Sequence, residues 1–231
     1  MRNIFIWDIH WCFDEFLDLL KKIKYDVRKD KLYLTGDLIN KWPKAFELID
    51  FLVKNLQIKS VIGNNEINFI RYLGDVGIMG DFEDLKNNEN YMSLVEKGLF
   101  DREYGKENSL FDEYLKQFSK EHIEYLLSLP LYIEGKNWIL LHGGLVPWKS
   151  LEKQSLDEIT RIREYDWKPW YEYYKWQKKI IYWHWAKDGL RFRNNTVWLD
   201  SGCVYGKQLS AHMLETNKII QVPARNIYVK V

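Results

Sequence analysis

Cysteine is scarce: two residues in 231, Cys12 and Cys203, far apart and in no C-x-x-C pair. That argues against a disulfide framework and against a structural zinc knot. An excess of charge of one sign is also missing. There are 34 basic and 33 acidic residues, for a net charge of +1. Such a balance gives no general attraction to nucleic acid or to a membrane surface. No run of about 18 apolar residues exists, so no helix is expected to cross a bilayer. The short apolar stretch at the N-terminus is followed at once by acidic residues, which is not the layout of a secretory signal. The expectation is a soluble, cytoplasmic protein. Glycine is the remaining scarcity, 13 residues against 11 tryptophans. That is slightly under the ~7% glycine of an average chain, whereas tryptophan is well above normal usage.

What is present is enough for a core. The chain is 46% hydrophobic, and its length fits one large domain over 1–231, or one domain carrying an insertion. Residues 3–6 read as a buried strand. Phe13, Phe16, Leu17, Leu20 and Ile23 then fall at helical spacing. "KLYLTGD" is a second strand running into Asp37, and Pro43 suits the first turn of a helix whose face continues through Phe46, Ile49 and Val53. "IKSVIGNNE" reads as a third strand ending in a polar loop. This alternation predicts an α/β sheet with both faces covered. The region around 75–130 is charged and mostly helical, an expected helical insertion. Strands resume at "WILLHGG", "KIIYWHW", "NTVWLDSGC" and "LSAHMLE". The last two read as a hairpin-like pair joined by "CVYGKQ".

Ligands of open α/β sheets bind at the carboxyl ends of strands. The residues expected there are Asp8, His10, Asp37, Asn64, His142 and His184. Three of the five histidines are in this set. Oxygen and imidazole donors of this mix suit Mn²⁺, Fe, Zn²⁺ or Mg²⁺. Two such ions ~3.5–4 Å apart can clamp a phosphoryl group and activate a water. Asp37, with two oxygens, is the natural bridge. Asp200, after "NTVWL", reads as a supporting carboxylate or a turn cap.

"WDIHW", "GDLINKWP", "GNNE", "LHGG" and "YWHW" occur in that order. They resemble the blocks GD-x-H-G, GD-x-x-x-x-G, GNH[DE], H-[GA]-G and GH of the calcineurin-like metallophosphoesterases. "SGCVYGKQLSA" is similar to the closing block of the serine/threonine-phosphatase-like branch that includes the bacterial diadenosine tetraphosphatases. The resemblance spans essentially the whole chain. It implies an α/β/β/α sandwich of two mixed sheets flanked by helices. It implies two divalent metal ions, manganese favoured, with Asp8, His10 and Asp37 on one and Asp37, Asn64, His142 and His184 on the other. The implied substrate is a small phosphorylated molecule, a dinucleoside polyphosphate such as diadenosine tetraphosphate. A phosphomonoesterase acting on phosphoprotein or nucleic-acid ends is the alternative, and a catalytically silent binding protein is another.

Two functional positions depart from those blocks. Lys41 falls where the family has a substrate-binding arginine; it keeps the charge but loses the bidentate fork. Asn65 falls where the family has a histidine that protonates the leaving group. An amide can donate a hydrogen bond to substrate but is no general acid. The tryptophans depart further. Trp7, Trp11, Trp42 and Trp183 stand at glycine positions of the blocks, and Trp148, Trp167, Trp176 and Trp198 stand where related chains tend to have glycine. Trp170 and Trp185 look ordinary, and Trp138 is undecided. Either an aromatic wall lines the site, or these eight codons are UGA, which is glycine in some bacterial genetic codes and tryptophan in others.

Overall fold

The computed structural model describes residues 1–231 except 8, 11, 40–43, 106–107, 184–189, 194, 200 and 230–231, and omits the side chains of 81, 83–86, 190, 191 and 199. In chain order its strands and α-helices are β1 (Arg2–Ile6), α1 (Phe13–Ile23), β2 (Asp30–Leu34), α2 (Ala45–Val53), β3 (Lys59–Ser60), α3 (Asn64–Asp75), α4 (Glu89–Glu96), α5 (Ser109–Gln117), α6 (Lys120–Leu127), β4 (Tyr132–Glu134), β5 (Trp138–Leu141), α7 (Leu156–Arg161), β6 (Glu164–Tyr165), β7 (Lys168–Pro169), β8 (Lys179–Tyr182), β9 (Leu190–Phe192), β10 (Thr196–Leu199), β11 (Gln208–Met213) and β12 (Lys218–Pro223).

β1 buries Ile4, Phe5 and Ile6 in succession. A strand buried on both faces needs neighbours on both edges and cover above and below. It receives them: the first sheet runs β12-β11-β1-β2-β3, with β1, β2 and β3 parallel, β11 antiparallel to β1, and β12 antiparallel to β11. β8 plays the same part in the second sheet, β4-β5-β8-β10-β9, where β5, β8 and β10 are parallel and β4 and β9 antiparallel. Two mixed sheets are therefore present, as the resemblance implied.

The sheets meet through Phe5, Tyr33 and Val61 on one side and Trp138, Leu140, Ile181 and Val197 on the other. Phe5 stacks on Tyr33 at 5.1 Å and meets Trp138 edge-on at 5.0 Å. The outer face of the first sheet is covered by α1, which buries Phe16, Leu19 and Ile23 and ends at Lys24 in a left-handed conformation (φ 53°). Within 75–130 lie a 3-10 stretch at Ile78–Asn87 and then α4, α5 and α6. α5 is tied to α3 by Phe69, whose ring meets those of Phe111 and Tyr114 edge-on.

Two expectations from sequence are corrected, and one element was unforeseen. "GNNE" is not a loop after a strand: β3 is two residues long, and Asn64 opens α3. Gly63 sits at the N-cap in an extended conformation, and the Glu66 carboxylate accepts its N–H at 2.8 Å, as the third helical residue does in a capping box. The strands at "NTVWL" and "LSAHM" are not a hairpin. β10 lies in the second sheet and β11 in the first. The intervening segment turns at Gly202 (φ 63°) and Gly206 (φ 78°) to cross between sheets. Finally, β6 and β7 form a small separate hairpin that periodicity did not reveal, since two-residue strands carry no readable alternation.

Among the described residues, no helix is long and apolar enough to cross a membrane. Phe5→Ala should remove its ring contacts with Tyr33 and Trp138, leaving the Tyr33–Trp138 contact, and destabilise the fold by about 3–5 kcal/mol, read as a lowered urea midpoint with an unchanged slope.

Candidate metal centre

The parallel strands β1, β2 and β3 of one sheet and β5 and β8 of the other deliver their following loops to one place. Asp37 follows β2, Asn64 and Asn65 open α3 after β3, and His142 follows β5. The His142 Nε2 lies 3.1 Å from Asn64 Oδ1 and 3.5 Å from Asp37 Oδ1. His142, Asp37 and Asn65 are buried, and Asn64 is half-buried. His10 follows β1, with its backbone at φ 36°, and Asp37 stands at φ 51°. Left-handed backbone at two non-glycine residues is a strain held by the surrounding structure and concentrates at functional sites.

The other nitrogen of His142 decides what the cluster wants. Nδ1 lies 2.7 Å from the Thr35 carbonyl oxygen, which can only accept, so Nδ1 carries the proton. Nε2 then presents a lone pair. Facing it are a carboxylate oxygen and an amide oxygen, both acceptors. Burial pushes the imidazole down to about 4, so the ring is neutral at neutral pH. Three lone-pair donors turned towards one another, two of oxygen and one of imidazole, fit a divalent cation.

Sequence reasoning missed the group that holds this arrangement. Glu66 is fully buried. Its Oε2 accepts the N–H of Asp37 and of Gly63, each at 2.8 Å, and its Oε1 accepts the N–H of Ile39 at 3.0 Å. The Asn65 N–H in turn donates to Asp37 Oδ1 at 3.1 Å. Burial, with the neighbouring Asp37 charge, raises the Glu66 carboxyl to about 7, against the pull of its backbone donors. The fourth letter of "GNNE" was the available signal. The loops also touch through glycine: a β-carbon on Gly36 (φ 84°) would stand 2.6 Å from the Gly63 nitrogen. Arg161 was missed as well. Its guanidinium donates to Asn68 Oδ1 at 2.6 Å and lies 3.5 Å from the Asn64 carbonyl, bringing a cation to the rim.

Of the residues expected from sequence, His10, Asp37 and His142 follow strands and Asn64 and Asn65 open α3 at this end of the sheets, and Asp37, Asn64, Asn65 and His142 form one connected cluster. Asp8, Lys41, His184 and Asp200 lie outside the described residues, as do Trp11, Trp42 and Trp185. Trp183 is placed: its backbone N–H donates to the His142 carbonyl at 2.8 Å, and its ring lies against both His10 and His142. Glu66→Gln should leave one backbone donor facing an amide N–H. A loss of about 1–3 kcal/mol in stability is expected from the unmade bond, along with weaker Mn²⁺ binding by calorimetry; unchanged metal affinity would remove Glu66 from its positioning role.

A calcineurin-like phosphoesterase family model matches residues 1–221. A symmetrical bis(5'-nucleosyl)-tetraphosphatase of Buchnera aphidicola is 32% identical over 160 residues, covering 67% of this chain and 48% of that protein. One of Neisseria meningitidis is 25% identical over 295 residues, covering 97% of this chain and 96% of that protein. The match thus spans about half the length of the first relative and nearly all of the second. A crystal structure described as that of a candidate diadenosine tetraphosphatase superposes with a TM-score of 0.72 at 27% identity, over 97% of this chain and 94% of that one. A protein serine/threonine phosphatase of Saccharomyces cerevisiae, at 14% identity and a TM-score of 0.54 over 98% of this chain and 80% of that one, shares the fold alone.

Proposed function

The chain belongs to the calcineurin-like phosphoesterase family, and on that premise we propose that it hydrolyses dinucleoside polyphosphates such as diadenosine tetraphosphate, in the cytoplasm, with two divalent cations, manganese favoured. The observation that carries the reading is the convergence of Asp37, Asn64 and His142 oxygen and nitrogen lone pairs at the strand ends of both sheets. The names of the relatives at 25–32% identity support the substrate.

Asp37, Asn64 and His142 would hold the cations, with His10, Asp8 and His184 completing the two donor sets. Cations bound there would neutralise phosphate oxygens and lower the pKa of the attacking water. The chain's own groups do the rest. Glu66 fixes the Asp37 loop through three backbone donors, so the carboxylate is aimed before substrate arrives. Thr35 fixes the His142 tautomer. Lys41 offers a point charge to a phosphate, and Arg161 adds positive potential at the rim. Asn65, at the first turn of α3, can donate its amide to a leaving-group oxygen but cannot protonate it. A nucleoside diphosphate leaves without that proton, whereas an alkoxide does not. The site therefore suits an anhydride better than an alkyl monoester.

Incubation with diadenosine tetraphosphate and Mn²⁺ tests this. Symmetrical cleavage would release two nucleoside diphosphates, read by chromatography. Release from aryl or alkyl monoesters with the tetraphosphate untouched would favour the phosphomonoesterase instead.

Two variants sharpen the assignment. Asp37→Asn should lose activity by at least about 10³-fold and lower metal content towards zero by elemental analysis. Asn65→His should raise turnover of alkyl monoesters more than that of anhydrides, because it supplies a proton donor. A flat dependence of rate on leaving-group pKa in the unmodified protein would mean that another residue donates the proton.

A further inference from the structure

Indoles crowd the place where this site has to open. The Trp183 ring is 5.5 Å from the His10 ring and 5.3 Å from the His142 ring, centre to centre, and the residue is buried. An indole against both imidazoles occupies volume that a phosphate with its cations needs. Trp7, the residue after β1, is also buried beside it in the cluster between the sheets. Its Nε1 is buried and meets no hydrogen-bond partner among the described residues. A core tryptophan whose polar handle is left unmade is poorly placed.

A third tryptophan is misplaced for a different reason, on a different surface. β6 and β7 pair Tyr165 with Lys168, leaving a two-residue loop of Asp166 and Trp167. Both have positive φ, 46° and 65°. Two-residue hairpins with positive φ at both positions call for Asn-Gly or Asp-Gly. A side chain in that conformation is strained, and the Trp167 indole is 93% exposed, so almost no packing offsets the strain. Catalysis gives no reason for an indole there. Trp170 is the contrast: it is fully buried and meets Tyr171, Tyr174 and Tyr182 edge-on.

One cause that acts alike on a buried site and an exposed hairpin is at the level of the codon. We propose that Trp7, Trp11, Trp42, Trp148, Trp167, Trp176, Trp183 and Trp198 are glycine in the natural protein, encoded by UGA, and that the tryptophan sequence is a translation in the wrong genetic code. Geometry supports the assignment at 7, 167 and 183; positions 11, 42, 148, 176 and 198 are carried by the sequence pattern alone, 11 and 42 lying outside the described residues. Glycine at 183 removes the indole that lies against His10 and His142, and glycine at 7 removes a second one from the adjoining inter-sheet cluster, which opens the strand ends to a nucleotide-sized polyphosphate. The part of the inference at 7, 11, 42 and 183 rests on the proposed function, whereas the hairpin at 167 does not.

The test is the coding DNA together with peptide masses of the protein from its natural source. UGA at the eight positions, UGG at Trp170 and Trp185, and a glycine mass in the peptide spanning 167 are expected. UGG at 7, 167 and 183, or a tryptophan mass at 167, overturns the proposal whatever the enzyme does. In purified protein, Trp167→Gly should raise the thermal midpoint while Trp170→Gly lowers it. Trp7→Gly with Trp183→Gly should tighten Mn²⁺ binding by about tenfold or more in calorimetry. A lower midpoint for Trp167→Gly together with unchanged Mn²⁺ binding would contradict the physical argument. Metal binding gained without diadenosine tetraphosphate hydrolysis would instead reject the substrate reading and leave the glycine assignment standing.

Discussion

Three backbone N–H groups, from Asp37, Ile39 and Gly63, converge on the buried carboxylate of Glu66. Everything at the carboxyl end of the sheets depends on that convergence. It ties the loop after β2 to the first turn of α3, and so fixes the distance between Asp37 and Asn64. It also sets Asp37 in a left-handed conformation that the local sequence would not choose alone. With Asp37 held, its Oδ1 takes the Asn65 N–H and faces the His142 imidazole. The cost is a carboxylate pressed against another carboxylate in a buried space, visible as the upward shift of Glu66. Positive charge brought to Asp37 would relieve that repulsion.

The second sheet supplies the other half. β5 and β8 run parallel and deliver positions 142 and 183 side by side, linked by the Trp183 backbone N–H to the His142 carbonyl. A histidine and its neighbour after two adjacent strands can therefore serve one centre although about 40 residues separate them. The inter-sheet aromatic cluster keeps the two halves in register: Phe5, next to the strand end that leads to His10, packs against Trp138, at the start of the strand that leads to His142.

Much of this was legible in sequence. Apolar runs ending in Asp, His or Asn marked β1, β2 and β5 and the loops that carry His10, Asp37 and His142. What was not legible involves partners distant in sequence. Nothing local to "LSAHM" says that it pairs with β1 rather than with the strand just before it, because β11 and β10 are both apolar runs of similar length. "GNNE" read as a polar loop since asparagines favour loops and turns; the structure makes it a helix start because the Glu66 side chain caps it. Arg161 came from α7, a six-residue helix with no motif to announce it. The tryptophans were conspicuous at once, but only backbone angles and ring positions separate Trp167 and Trp183 from the well-packed Trp170.

The central claim is that Asp37 bridges two cations at this strand-end site, and electron paramagnetic resonance of the Mn²⁺-loaded protein tests it most directly. With glycine at positions 7, 11, 42 and 183, the account predicts two Mn²⁺ per chain with the spectrum of an exchange-coupled pair, collapsing to uncoupled ions or none in Asp37→Asn. An uncoupled Mn²⁺ spectrum in the unmodified Asp37 background, or a coupled pair that survives Asp37→Asn, would contradict it.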